Sequence, residues 1–166
     1  MKPVEGPYET PALTLRPILE GDLETTLAWR NRDDARVWFK TTAQLSLDQH
    51  RSWFQRYVEK SDDLLFVVEV AGEVVGQVSV YDIDPESRSG EVGRFLVASG
   101  HGGRGYMRAA ISALLELCAK TLALRYVFLE VKAANERAKR IYSSLGFTEE
   151  ASTGDLVRMG KRLNES

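Results

Sequence analysis

The sequence predicts an α/β (α+β) domain: a mixed, mostly antiparallel central sheet of six to seven strands flanked by helices. Three observations lead there. Between Leu64 and Val80, an apolar run, an Ala71-Gly72 turn signal and the alternating Val74, Gly76, Val78 and Val80 read as a β-hairpin. After it, a strand, a glycine-rich loop and an amphipathic helix follow one another from Glu91 to Lys120. From Tyr126 onward the pattern continues as strand, helix and a closing strand pair, so the order is mixed: helices first, antiparallel strands, then a β-α-β-α-β segment.

Taken in order, the first eleven residues, ending at Pro11, are expected to form a loose tail, which leaves 12–166 as a single domain. Leu13-Thr14-Leu15-Arg16 alternates as a short strand and stops at Pro17. Asp22 to Asn31 reads as a helix with Leu23, Leu27 and Ala28 inward. Ser46 is an N-cap, with Gln49 three residues on completing a capping box. The helix it opens carries Leu47, His50, Trp53, Phe54 and Tyr57 at helical spacing. Asp84-Pro85 and Ser89-Gly90 mark a loop before a strand from Glu91 to Ala98. Met107, Ala110, Ile111, Leu114, Leu117 and Cys118 form the apolar face of the helix after the glycine loop. Tyr126 to Val131 is a strand, Asn135 caps a helix ending at Leu145, and Gly146 suits the position just beyond it. Phe147 to Leu163 supplies the final strand pair.

Composition narrows the function. The 166 residues carry 22 Lys plus Arg against 24 Asp plus Glu, a net charge of -2. That balance argues against nucleic acid as the main partner, because neutralising phosphates needs clustered positive charge. It leaves room for a local basic pocket. Cys118 is the single cysteine, so no intramolecular disulfide forms, and with only His50 and His101 no closed Cys/His zinc site can be assembled; no metal is expected. The N-terminus lacks a signal-peptide pattern and no apolar stretch reaches the roughly 20 residues that span a bilayer. A soluble, cytoplasmic protein without membrane partners is expected, with homodimerisation left open.

The chemistry concentrates in Gly100-His101-Gly102-Gly103-Arg104-Gly105 and the helix that follows. Glycines let backbone approach a ligand closely, and a helix N-terminus offers unpaired N–H groups and a positive dipole end. Together they suit a pyrophosphate. A Walker loop would need Gly-Lys-Ser/Thr, but Tyr106-Met107 follows Gly105. A Rossmann fingerprint would sit after an early strand, whereas this loop follows an antiparallel hairpin.

The run Leu129-Glu130-Val131-Lys132-Ala133-Ala134-Asn135-Glu136-Arg137-Ala138-Lys139-Arg140-Ile141-Tyr142-Ser143-Ser144-Leu145-Gly146-Phe147 resembles motif B of the GNAT acetyltransferase superfamily. The glycine loop resembles its motif A, Gln/Arg-x-x-Gly-x-Gly, with Gly103 and Gly105 matching and Gly100 standing where Gln or Arg is usual. The resemblance implies a V-shaped splay between the fourth and fifth strands that admits acetyl-CoA as co-substrate, and direct attack by a primary amine. It implies cofactor contacts from Phe95, Leu96, Val97, Gly102, Gly103, Arg104, Gly105, Tyr106, Met107, Asn135 and Ala138. Tyr142 becomes the acid for the departing thiolate. Glu130 and Glu91 are alternative bases, and a structural role for either stays open.

In such a fold the segment from Leu15 to Lys60 shapes the acceptor site. Trp29, Arg30, Asn31, His50 and Trp53 look similar to the acetyltransferases of nucleotide-linked amino sugars (pseudaminic-acid-type pathways). Arg and His suit a diphosphate, and Trp suits a base or sugar ring. Acetyltransferases of ribosomal-protein N-termini or of spermidine are the alternatives, and a non-catalytic CoA-binding regulatory module is the alternative of another class. A polyamine acceptor predicts carboxylates gathered at the site, for which Asp33-Asp34 and Asp62-Asp63 are available.

Overall fold

The structure is a computed structural model that describes residues 2–39, 42–98 and 100–163. Its elements are β1 (Tyr8–Glu9), β2 (Thr14–Pro17), α1 (Leu23–Asn31), α2 (Asp33–Arg36), α3 (Leu47–Val58), β3 (Asp63–Val70), β4 (Glu73–Asp84), β5 (Ser89–Val97), α4 (Tyr106–Lys120), β6 (Tyr126–Lys132), α5 (Glu136–Ser144), β7 (Thr148–Thr153) and β8 (Leu156–Arg162). Eight strands form one sheet in the order β1-β2-β3-β4-β5-β6-β8-β7. Every pairing is antiparallel except β5 with β6.

One strand lies where a loose tail is expected. Tyr8 and Glu9 pair with Leu15 and Thr14, and the Lys2 ammonium donates to the carbonyls of Tyr57 at 2.5 Å and Asp63 at 2.6 Å. Two residues are too few for a period-2 signal, so the strand has no visible pattern in the sequence.

The local signals elsewhere are used as expected. Ser46 Oγ accepts from the Gln49 amide at 3.1 Å while the Gln49 side chain accepts from the Ser46 amide at 2.8 Å. Ala71 and Gly72 both take positive φ in the two-residue turn joining β3 to β4. Asn135 Oδ1 accepts from the Ala138 amide and caps α5.

Helix α1 differs. Leu23, Thr26 and Trp29 are its buried residues, while Ala28 is exposed. Two neighbours draw that face inward. Thr26 Oγ1 lies 3.0 Å from His50 Nε2 on α3, and Trp29 packs with Leu96 and Ala98.

Both faces of the sheet are covered. Leu64, Phe66 and Val68 of β3 join the cluster under α4, with Ile111, Leu114, Leu117 and Cys118. Leu65 and Val67, pointing the other way, pack with Ile18, Leu23 and Tyr57 of the α1/α3 side. That explains the continuous apolar run of β3, since a strand buried on both faces loses its alternation. Each fully buried side chain of this size contributes about 1.5–3 kcal/mol.

The feature that positions the site is the parallel pair. β5 and β6 register only through Ser89↔Tyr126, Gly90↔Val127 and Glu91↔Phe128. Beyond Glu91 the strands part: β5 continues along β4 to Val97, and β6 continues along β8 to Lys132. This is the splay between the fourth and fifth strands of the sequence reading. Among the described residues no helix is long and apolar enough to cross a membrane.

Candidate active site

The splay opens into a cleft of about 590 Å³. Phe95, Leu96 and Val97 line one wall, Leu129 to Lys132 another, and Met107, Asn135, Ala138 and Tyr142 close it from the helices. A second hollow of about 810 Å³, reached past Val97, Met107, Asn135 and Ala138, holds the glycine loop. Leu96 turns its side chain away, burying it with Trp29 and Ala98. Arg32 Nη1 donates to the Val97 carbonyl at 2.6 Å.

The loop fits an anionic ligand. Gly100, Gly103 and Gly105 take φ of +82°, +78° and +75°, a left-handed conformation that side chains with a Cβ rarely adopt. At all three, and at Gly102, the space a Cβ would enter is open. Gly105 opens α4 with no side-chain cap and no acidic residue in the first turn, which leaves the amides of that turn available to an anion. Gly102, Gly103, Gly105, Tyr106 and Met107 line this hollow; the Arg104 side chain is exposed and lines neither cavity. Arg137 and Arg140 of α5 stand on the facing side, adding positive charge. Among the described residues no group of three His, Cys, Asp or Glu side chains is placed to hold a metal.

Tyr142 projects into the cleft from α5, its ring 5.8 Å from that of Phe95 and 6.2 Å from that of Phe147. Burial pushes its pKa up, so the phenol stays protonated at neutral pH. Asn135 spends its Oδ1 on the α5 cap and lines the cleft.

The two carboxylates named from sequence differ in setting. Glu91 is 9% exposed and accepts a hydrogen bond from the Tyr81 hydroxyl at 3.1 Å. Glu130 is exposed and registered opposite Arg158, although it also lines the cleft. Cys118 is fully buried and its thiol is pushed up to about 12 by burial, which suits packing and no reactivity.

A third cavity, about 630 Å³, joins the cleft at Arg30, Phe39 and Arg94. His50 and Trp53 line it, stacked at 5.3 Å, together with Arg56 and one carboxylate, Asp48. Arg30 lies over the Phe39 ring at 4.3 Å. Burial and the nearby Arg30 hold His50 below its ordinary pKa, so it is neutral at pH 7.

Three of the five acceptor residues named from sequence, Arg30, His50 and Trp53, therefore meet at one cavity. Trp29 and Asn31 do not. Trp29 is a core residue, and the Asn31 amide is bonded in both directions to the Leu45 backbone, at 2.8 Å each, fastening the segment before α3. Nor do the paired aspartates gather there. Asp33 and Asp34 are exposed partners of Arg36 and Arg32, Asp62 is exposed, and Asp63 is buried against Arg94.

Sequence reasoning missed Tyr81, Phe39, Arg56 and Arg94. The last sits at a β-bulge with φ of +54°, opposite a register shift between Gln77 and Ser79. Bulge positions carry no periodic signal, because they break the alternation used to find strands. The one local cue is Gly93, where a Cβ would come 2.6 Å from the Tyr81 hydroxyl.

Residues 12–148 match the family profile described as an acetyltransferase (GNAT) domain. A spermidine N(1)-acetyltransferase of Vibrio cholerae is 30% identical over 140 residues, spanning 83% of this chain and 80% of that protein. One from Escherichia coli K12 is 26% identical over 140 residues, 84% and 74% of the two chains. The crystal structure of the Vibrio cholerae spermidine N-acetyltransferase in complex with CoA and spermine superposes with a TM-score of 0.84 at 26% identity, covering 93% of this chain and 97% of that one.

Proposed function

The chain belongs to the GNAT acetyltransferase family, and from that premise we propose that this acetyl-CoA-dependent N-acetyltransferase acts on the primary amine of an amino sugar linked to a nucleotide. The observation that supports the choice of acceptor is the lining of the third cavity: Arg30, Arg56 and Arg94, the last already paired with the buried Asp63, against Asp48, with Trp53 and Phe39 beside them. Such a lining favours a substrate with phosphates and a flat ring over a polycation.

The chain's own residues supply the following steps. Amides from Gly102 to Met107, at the positive end of α4, hold the pyrophosphate. Backbone groups of Phe95 and Val97, which line the cleft, would hold the pantetheine arm, and an N–H of this strand would supply the donor that polarises a thioester carbonyl. Asn135 Nδ2 steadies the arm beside Ala138. When bound, acetyl-CoA supplies an activated acyl group that a neutral amine attacks without a covalent enzyme intermediate. Glu91, inside the cleft and ordered by Tyr81, takes the amine's proton through a water; Glu130, at the solvent, is the alternative base. Tyr142, buried in the cleft and protonated at neutral pH, would supply the proton that a departing thiolate needs. A phenol near 10 donating to a thiol near 8.5 is uphill by about 2 kcal/mol, and burial steepens the climb. A hydrogen bond that strengthens as charge accumulates on sulfur offsets it.

A polyamine acceptor is the second reading, favoured by the substrate in the names of the relatives and by Asp82, Glu91 and Glu130 along the cofactor cleft. Thiol release from acetyl-CoA with a nucleotide-linked amino sugar, spermidine and an alanine-terminal peptide separates the readings. Preference for spermidine would replace the first with the second.

A further inference from the structure

We propose that Arg94 is the specificity residue of the acceptor cavity, reading a phosphate of the acceptor with two N–H donors that the fold leaves uncommitted. The proposal rests on the reading of a nucleotide-linked acceptor above and names the group that would enforce it.

Arg94 stands where the cofactor cleft and the third cavity meet, lining both. Its backbone is held in an unusual state. φ is +54°, the strand bulges there, and Gln77 Nε2 donates to the Arg94 carbonyl at 2.9 Å. Non-glycine residues with positive φ inside a strand persist only when their surroundings over-determine them, and they cluster at functional sites. Here the bulge points the side chain at the α3 side, over the Tyr81 ring at 4.3 Å and 5.6 Å from the Trp53 ring.

The guanidinium is fixed, yet incompletely used. Nη1 donates to Asp63 Oδ1 at 2.7 Å and to Ser79 Oγ at 3.0 Å, and Nη2 donates to Asp63 Oδ2 at 3.2 Å. Those are three of the five N–H donors an arginine carries; among the described residues Nε–H and one Nη2–H have no hydrogen-bond partner. Asp63 is 4% exposed on its side chain and Arg94 30%, so the anchor is buried while the arginine side chain that lines the two cavities stays partly exposed. A purely structural ion pair would not need the bulge, the aromatic shelf or the position at the junction of two cavities. A held, forked donor in that position suits bidentate recognition of a phosphate and discriminates against an ammonium-rich chain.

The test uses the full chain saturated with CoA, so that a phosphate probe cannot occupy the glycine loop. Binding of uridine diphosphate is measured by calorimetry for the wild type, Arg94→Lys, Arg94→Gln and the double variant Asp63→Asn/Arg94→Gln. The double variant removes the buried carboxylate that Arg94→Gln alone would strand, so a folded neutral pair is available. We expect the double variant to bind the probe at least tenfold more weakly with CoA affinity unchanged, and Arg94→Lys to recover only part of the loss. Acceptor KM should rise in step. Equal probe affinity in the wild type and the double variant would overturn the role of Arg94 and leave the anionic acceptor standing. No probe binding to the wild type would overturn both.

Discussion

Tyr142 on α5 and Phe95 on β5 face each other across the splay, ring centroids 5.8 Å apart. The phenol is thereby set in the gap between the parting strands, and Phe147 backs it from behind at 6.2 Å. Tyr142→Phe keeps both ring contacts and removes the proton donor alone. Turnover should fall by about 10²–10⁴, the usual worth of general acid–base catalysis, with the KM for acetyl-CoA nearly unchanged. Wild-type kcat in this variant would return Tyr142 to a packing role.

The glycine loop makes a separate prediction. Gly103 has φ of +78° and open space where a Cβ would project. Asp tolerates that backbone better than most residues, so Gly103→Asp should fold while placing a negative charge in the cradle. CoA affinity by calorimetry should drop at least tenfold, about 1.4 kcal/mol. Unchanged affinity in a folded variant would remove the loop from the cofactor site.

Asn31 tests the wall of the acceptor cavity. Its amide makes two hydrogen bonds to Leu45 backbone, each worth about 0.5–1.5 kcal/mol net. Asn31→Ala should lower unfolding free energy by about 1–3 kcal/mol in a denaturant titration. It should also raise the acceptor KM more than the acetyl-CoA KM, since Leu45 lines the third cavity and not the cofactor cleft. Equal effects on both would mean that Asn31 supports the fold as a whole.

His50 gives a pH signature. Desolvation first, and the Arg30 charge second, hold its folded pKa below the ordinary imidazole value, which is about 6.5. The unfolded chain therefore takes up a proton at this residue that the folded protein resists. The neutral state is fully accommodated above about pH 6.5, and stability falls as the pH drops from there toward the folded pKa. Thermal melts should show a steeper acid-side loss for the wild type than for His50→Gln. Parallel curves would mean that His50 titrates alike in both states.

What the sequence revealed follows from how local each signal is. The Ser46–Gln49 box, the Ala71–Gly72 turn, the Asn135 cap and the glycine loop are each built from neighbours within a few residues, and each is used as written. The place of Tyr142 beside the cleft was legible because it sits in a continuous motif. The placement of Arg94 was not: it depends on a bulge, on Asp63 thirty-one positions away and on the meeting of two cavities. The face of α1 was misjudged for a related reason. Leu27 and Ala28 have the apolar character of a core face, but Thr26 and Trp29 have partners on α3 and β5 that apolarity does not encode. The pairing of Tyr81 with Glu91, which sets one base candidate apart from the other, is a matter of register between β4 and β5.

The central claim is that a cationic, aromatic cavity beside the cofactor cleft selects a nucleotide-linked amino sugar. It is tested most directly by kcat/KM for such a sugar, for the same amino sugar without its nucleotide, and for spermidine, at saturating acetyl-CoA. Each charge-assisted hydrogen bond to phosphate is worth about 1.5–3 kcal/mol, so the nucleotide-linked sugar should exceed the free sugar by at least tenfold and should also exceed spermidine. Spermidine as the best of the three, or no gain from the nucleotide, would contradict it.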